Sequence, residues 1–171
     1  MDHDTLLELA SRLGAALKAQ GQTLALAESC TGGMTSQYVT AIAGSSAWFD
    51  RGFITYSNQA KVDMLDVSES TLETYGAVSE QIAAEMTLGA LINSQANVAA
   101  SITGIAGPDG GTPSKPVGTV CFAFGFKSHT LHVSETLRHT QHFIGDREAI
   151  RKQSVEYALK QLLMLTLSSE L

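Results

Sequence analysis

The run Leu24, Ala25, Leu26, Ala27, Glu28, Ser29, Cys30, Thr31, Gly32, Gly33 hands an apolar segment over to a serine followed by two glycines. The apolar residues read as a buried strand over 23–27, while Met34, Tyr38, Val39 and Ile42 recur at helical spacing. Such a strand-to-helix turn leaves the first helical amides without partners inside the helix, free to face a phosphate or a developing oxyanion. Ser29 stands just before them. The same residues also suit a plainer use, with Ser29 or Thr31 as an N-cap and the glycines admitting close helix–strand packing, and this segment alone leaves both open.

Upstream, Thr5 and Glu8 have capping-box spacing, and Leu6, Ala10, Leu13 and Leu17 mark one face of a first helix that ends near Gly21. Downstream, the helix after the turn is expected to close at Gly44, a left-handed C-cap. Residues 52–56 read as a strand and 58–65 as a short helix, with Ser70 and Glu73 capping another. Ser79 caps a longer helix whose Ile82, Met86 and Ala90 share a face. Residues 97–103 form a second central strand that runs into a loop carrying Gly104, Gly107, Gly110 and Gly111. Residues 117–126 and 130–138 read as an antiparallel hairpin turning at Lys127 and Ser128. Asp146 caps a final helix with Ile150, Ser154, Ala158, Leu159 and Leu162 inward.

Helices alternating with strands, plus one hairpin, predict a single α/β domain over residues 1–171, a three-layer α/β/α sandwich around a mixed sheet. Ligands in such folds collect at the carboxyl ends of the strands, where both glycine-rich turns fall. The composition agrees: 171 residues, 44% hydrophobic and 16% charged, are enough for one well-filled core. No apolar run approaches a membrane span and the N-terminus lacks signal-peptide character, so a cytoplasmic protein without membrane contact is expected. Cys30 and Cys121 do not suggest a disulfide framework. A net charge of −6 argues against nucleic acid as a partner, although a small anion remains compatible with one or two converging cations.

A serine nucleophile needs a base. His3 lies in the N-terminal tail, and His129, His132, His139 and His142 lie in or beside the late hairpin, far in sequence from the glycine-rich turns. No metal site is expected from them, because residues three apart in a strand point to opposite faces. Lysine is the better candidate, since burial lowers its pKa and leaves a neutral amine. Lys61 follows a strand end in the segment Tyr56, Ser57, Asn58, Gln59, Ala60, Lys61, where the Tyr56 hydroxyl is placed to relay a proton or orient the amine. An ordinary exposed lysine is the alternative. Thr103 and Gly104 form a second converging point, suited to a ribose or phosphate oxygen or simply to a sharp turn. Arg147 occupies the first turn of the last helix, where its unfavourable dipole interaction asks for an anion, either a ligand or Asp146 or Glu148. Cys30 is a rival nucleophile.

The blocks AESCTGG (27–33), AGSSAWFDRGFITYSNQAK (43–61), GAVS (76–79), SITGIAGPDGG (101–111), KPVGTV (115–120) and GDR (145–147) together closely resemble the CinA C-terminal domain family over about residues 5–165. The resemblance implies an enzyme that hydrolyses the carboxamide of nicotinamide mononucleotide to nicotinate mononucleotide and ammonia, without a metal or cofactor. It implies Ser29 as nucleophile, with Tyr56 and Lys61 completing the catalytic set. Thr103, Gly104 and Arg147 would bind substrate, and the amides of Cys30, Thr31, Gly32 and Gly33 would hold the oxyanion. It also implies a homodimer. A nucleotide-binding module without catalysis is the reading from another class.

Overall fold

Successive side chains of a strand point to opposite faces of its sheet, and in the central strands of this protein the two faces differ in size. Leu24 and Leu26, Val98 and Ile102, and Val120, Phe122 and Phe124 face one way; Ala25 and Ala27, Ala99, and Cys121 and Ala123 face the other. The computed structural model describes residues 3–127 and 136–168. In chain order it comprises α1 (His3–Ala19), β1 (Leu24–Glu28), α2 (Met34–Thr40), a 3-10 turn (Ser45–Ala47), β2 (Phe49–Ile54), α3 (Asn58–Leu65), α4 (Glu69–Tyr75), α5 (Glu80–Ile92), β3 (Val98–Gly104), β4 (Thr119–Phe126), β5 (Leu137–His142) and α6 (Arg147–Leu167).

The five strands form one sheet in the order β2-β1-β3-β4-β5. The first three are parallel, with Leu24 opposite Val98 and Glu28 opposite Ile102, while β4 runs antiparallel to both its neighbours, β3 and β5. The large-residue face is covered by α1, α2 and α6, whose Leu6, Leu13, Leu17, Val39, Leu159 and Leu162 join its cluster. The small-residue face admits α5 at close range: Ser101 Oγ donates to Ala83 O at 2.6 Å and Thr87 Oγ1 to Ser101 Oγ at 2.9 Å. This is the mixed three-layer α/β/α arrangement that the sequence pattern predicts.

Two caps, Ser79 and Asp146, stand where sequence places them, and Ser57 caps α3, a role that sequence did not assign. Ser57 Oγ accepts from Ala60 N, Ser79 Oγ from Ile82 N, and an Asp146 carboxylate oxygen from Ala149 N, each satisfying an orphan amide of a helix start. Other boundaries move. The first helix begins at His3 rather than Thr5, with the His3 ring against Tyr38. The cap of α4 is Ser68, whose Oγ accepts from Thr71 N, and Ser70 falls inside the helix. Helix α2 ends at Thr40, where the Thr40 hydroxyl bonds the carbonyls of Ser36 and Gln37; left-handed Gly44 opens the 3-10 turn instead. The last strand is Leu137–His142, so much of the segment expected over 130–138 lies outside the described residues, as do Ser128, His129 and His132.

Candidate active site

The parallel strands β1 and β3 end side by side, and Ser29 N donates to Ile102 O at 2.9 Å, so the turn after β1 is anchored to its neighbour. Glu28, the last residue of β1, is fully buried and serves α2 as its cap. Its carboxylate accepts from the amides of Gly33 and Thr35 at 3.1 Å and Ser36 at 2.8 Å, and from Ser36 Oγ at 2.7 Å. A carboxylate at a helix start favours both the amides and the helix dipole. Here it also occupies donors expected to be free: Gly33 N is bound to Glu28, and Gly32 N donates to Ser29 O at 3.0 Å. Of the four amides from Cys30 to Gly33, that of Thr31 has no acceptor among the described residues and that of Cys30 meets only its own thiol. The two glycines serve geometry, with φ of 56° at Gly32 and 94° at Gly33, values that side chains rarely adopt.

The edge strand β2 brings in the second group. Thr55 N donates to Glu28 O at 2.8 Å, which sets the end of β2 beside the turn, and Ser57 then starts α3. One turn into α3, Lys61 points back into the protein and is only 1% exposed. Its Nζ lies 3.1 Å from Ser29 Oγ, 2.8 Å from Thr55 O and 3.4 Å from Tyr56 O. No carboxylate bonds it among the described residues. Burial therefore holds the Lys61 pKa below the 10.5 of a free lysine, opposed in part by the Cys30 thiol. A neutral amine has two N–H groups, which the two carbonyls accept, and one lone pair left for the Ser29 hydroxyl.

Ser29 and Lys61 line a cavity of about 280 Å³, together with Cys30, Tyr56, Asn58, Ala77, Val78, Thr103, Gly104, Ala106 and Arg147. The lining holds Lys61 and Arg147 and no acid. Arg147 donates through Nη1 to Gly107 O at 2.7 Å and through Nη2 to the Tyr56 hydroxyl at 3.1 Å. Neither carboxylate beside it in sequence takes its charge: Asp146 caps Ala149 and Glu148 pairs with Lys152. Tyr56 is 63% exposed, and its carbonyl rather than its hydroxyl meets Lys61. Thr103 Oγ1 gives its proton to Ala77 O at 2.8 Å, which leaves it an acceptor, suited to a ribose hydroxyl and not to a phosphate oxygen. Gly104 is demanded by the sheet as well, because a Cβ there would stand 2.7 Å from Val120 Cγ2. Thr31, Gly32 and Gly33 do not line the cavity.

Cys30 is 6% exposed and burial pushes its thiol up to about 12, which favours a neutral packing residue beside Ser29 over a thiolate. Of the described histidines, His139 bonds the Tyr157 hydroxyl and His142 the Thr119 hydroxyl. Asn58, Ala77, Val78 and Ala106 join the cavity without having been singled out in sequence. Glu28 and Arg151 also escaped; Arg151 reaches from α6 to the carbonyls of Cys30 and Thr31.

Residues 6–166 match the CinA C-terminal domain. The chain is 55% identical over 163 residues to nicotinamide-nucleotide amidohydrolase PncC of Enterobacter agglomerans, covering 95% of this chain and 96% of that one. It is 51% identical over 162 residues to the protein of the same name in Escherichia coli K12, covering 95% of each. Among solved structures, the competence/damage inducible protein CihA of Agrobacterium tumefaciens superposes with a TM-score of 0.86 at 46% identity, over 94% of this chain and 95% of that one. The competence damage-inducible protein A of Klebsiella pneumoniae gives a TM-score of 0.90 at 37% identity, over 97% and 99%.

Proposed function

The protein belongs to the CinA C-terminal domain family, and from that premise we propose that it is a nicotinamide-nucleotide amidohydrolase, converting nicotinamide mononucleotide and water to nicotinate mononucleotide and ammonia. The observation that carries this reading is the buried Lys61 amine 3.1 Å from Ser29 Oγ, without a carboxylate to keep it charged. In this mechanism neutral Lys61 takes the Ser29 proton as Oγ attacks the carboxamide carbon. The resulting oxyanion is met by amides after Ser29, each such donor being worth roughly 3 to 4 kcal/mol in comparable acyl-transfer sites. The Lys61 ammonium returns the proton to the departing nitrogen and ammonia leaves. Water, deprotonated by Lys61, then attacks the nicotinoyl ester, and the proton passes back to Ser29 as the acid is released.

Arg147 is the group for the phosphate, and the Tyr56 hydroxyl, being bonded to Arg147, acts on that side of the cavity. Tyr56 assists Lys61 through its carbonyl. Binding energy from the phosphate is therefore available to orient the reacting amide, and nicotinamide without its ribose phosphate is a poor substrate on this reading. A homodimer in the cytoplasm belongs to the same reading, and sedimentation analysis tests the first part: a monomer at working concentration counts against it.

The deciding experiment is ammonia release from nicotinamide mononucleotide by chelator-treated protein, with Ser29→Ala, Lys61→Ala and Cys30→Ala in parallel. Loss of at least about a thousandfold in the first two with most activity kept in the third is expected. Ligand binding without ammonia release by the wild type would favour a binding module, and loss in Cys30→Ala alone would make the thiol the nucleophile.

A further inference from the structure

Arg151 stands one helical turn after Arg147 on α6 and is half-buried. It pairs with no carboxylate among the described residues, where Arg51, Lys152 and Lys160 pair with Asp50, Glu148 and Glu156. Its guanidinium instead spans two successive carbonyls of the nucleophile turn. Nε donates to Cys30 O at 3.1 Å and Nη2 to Thr31 O at 2.9 Å, across 121 and 120 positions of sequence. Hydrogen bonds from a charged donor are shorter and stronger than neutral ones, so this is a firm hold on a short segment.

We propose that Arg151 is a positioning residue for the hydrolysis, fixing the backbone at Cys30 so that the Cys30 amide is aimed at the oxyanion formed on Ser29. The proposal rests on the amidohydrolase reading. A peptide unit is planar, so holding its carbonyl also sets the direction of its N–H. The plane that carries the Cys30 N–H has its carbonyl, Ser29 O, held by Gly32 N, and the next plane has its carbonyl, Cys30 O, held by Arg151. With both planes fixed, φ and ψ of Cys30 have no remaining freedom. Beyond them Glu28 grips the amides of Gly33, Thr35 and Ser36, so the turn is clamped through its acceptors on one side and its donors on the other. Cys30 is the residue directly after Ser29, it lines the cavity, and among the described residues its amide meets no oxygen acceptor, only its own thiol, a weak acceptor that an oxyanion can displace. Donors held in place before the reaction stabilise developing charge without reorganising, and this is the contribution Arg151 supplies.

An interaction of this kind is made in the transition state and not in the ground state, so it appears in kcat rather than KM. Arg151→Gln is expected to lower kcat for nicotinamide mononucleotide by about 10- to 100-fold, less than outright deletion of an oxyanion donor, with KM within about twofold. The analogue carrying an aldehyde in place of the carboxamide, which Ser29 would convert to a tetrahedral adduct, should lose affinity by the same factor. Nicotinate mononucleotide should bind unchanged, and Arg151→Lys should fall between wild type and Arg151→Gln. Unchanged kcat in folded Arg151→Gln overturns the proposal, as does a loss confined to KM and product affinity, which would make Arg151 a phosphate ligand. If the variants do not fold, the wild type decides: the Cys30 amide proton should move downfield in NMR spectra on forming the aldehyde adduct, and a stationary Cys30 signal overturns the proposal. Wild-type protein that releases no ammonia rejects the amidohydrolase reading itself, a different result from an active wild type with an unaffected Arg151→Gln.

Discussion

On the proposed mechanism Lys61 gives the reaction a pH dependence whose sign follows from its burial. With the neutral amine as the base, kcat should rise with pH through the Lys61 pKa and then level, and the limb should lie below the 10.5 of a free lysine. A pH–rate profile checks this, and a limb at or above 10.5 would remove Lys61 as the base. Stability moves in the same direction. The charged amine is penalised only in the folded state, so the penalty is full below the folded pKa and is relieved as pH rises from there toward 10.5. Tyr56 separates along a different axis. Because its hydroxyl meets Arg147 and only its carbonyl meets Lys61, Tyr56→Phe should raise KM several-fold while leaving kcat within about threefold, since a lost ground-state contact appears in binding. A kcat collapse with unchanged KM would restore the hydroxyl as a proton relay.

At the level of elements, the short helix α2 depends on one side chain from the preceding strand. Glu28→Gln keeps the shape but removes the charge that four donors share, and should lower unfolding free energy by about 2 kcal/mol. Urea denaturation reads this as a shifted midpoint at constant slope, and an unchanged midpoint would show that the carboxylate contributes nothing net. Sequence did not reveal this cap because Glu28 reaches residues five to eight positions ahead, across a turn, whereas a capping box couples positions three apart. Where the cap is local it was legible at two helices: Ser79 and Asp146 each precede a helix and bond the amide three residues on. The Thr5 box misplaced the start of α1, because the chain continues in helical form back to His3, which packs on Tyr38 from another element. Ser29, Lys61 and Arg147 were legible as candidates from residue type and location at strand and helix ends. Arg151 was not, since an arginine on an amphipathic helix has the sequence signature of a solvated face. That Lys61 meets Ser29 also depends on the strand order β2-β1-β3, which no local pattern specifies.

Over the whole molecule two electrostatic effects compete for an anionic substrate. The net charge of −6 repels it at long range, while on the proposed reading Arg147, in a cavity without acids, attracts it at short range. At about 0.15 M ionic strength the screening length is about 8 Å, so the distant charges are largely silenced and the local cation decides. Raising salt from about 0.1 to 0.5 M should therefore raise KM for nicotinamide mononucleotide several-fold and leave KM for the riboside, which lacks the phosphate, nearly unchanged. Equal shifts for both would argue against Arg147 as the phosphate group. The helices α1 and α6, from opposite ends of the described chain, share one hydrophobic cluster on the sheet, and α6 carries Arg151 to the turn formed near residue 30 and Arg147 to Gly107 and Tyr56 beside the same cavity. On the proposed mechanism, enzymatic competence should consequently be a late event in the life of each molecule. A nascent chain halted after β5 would contain Ser29 and Lys61 yet lack the two arginines assigned to holding the substrate and steadying the turn. During refolding, the return of ammonia release should trail the return of helical circular dichroism.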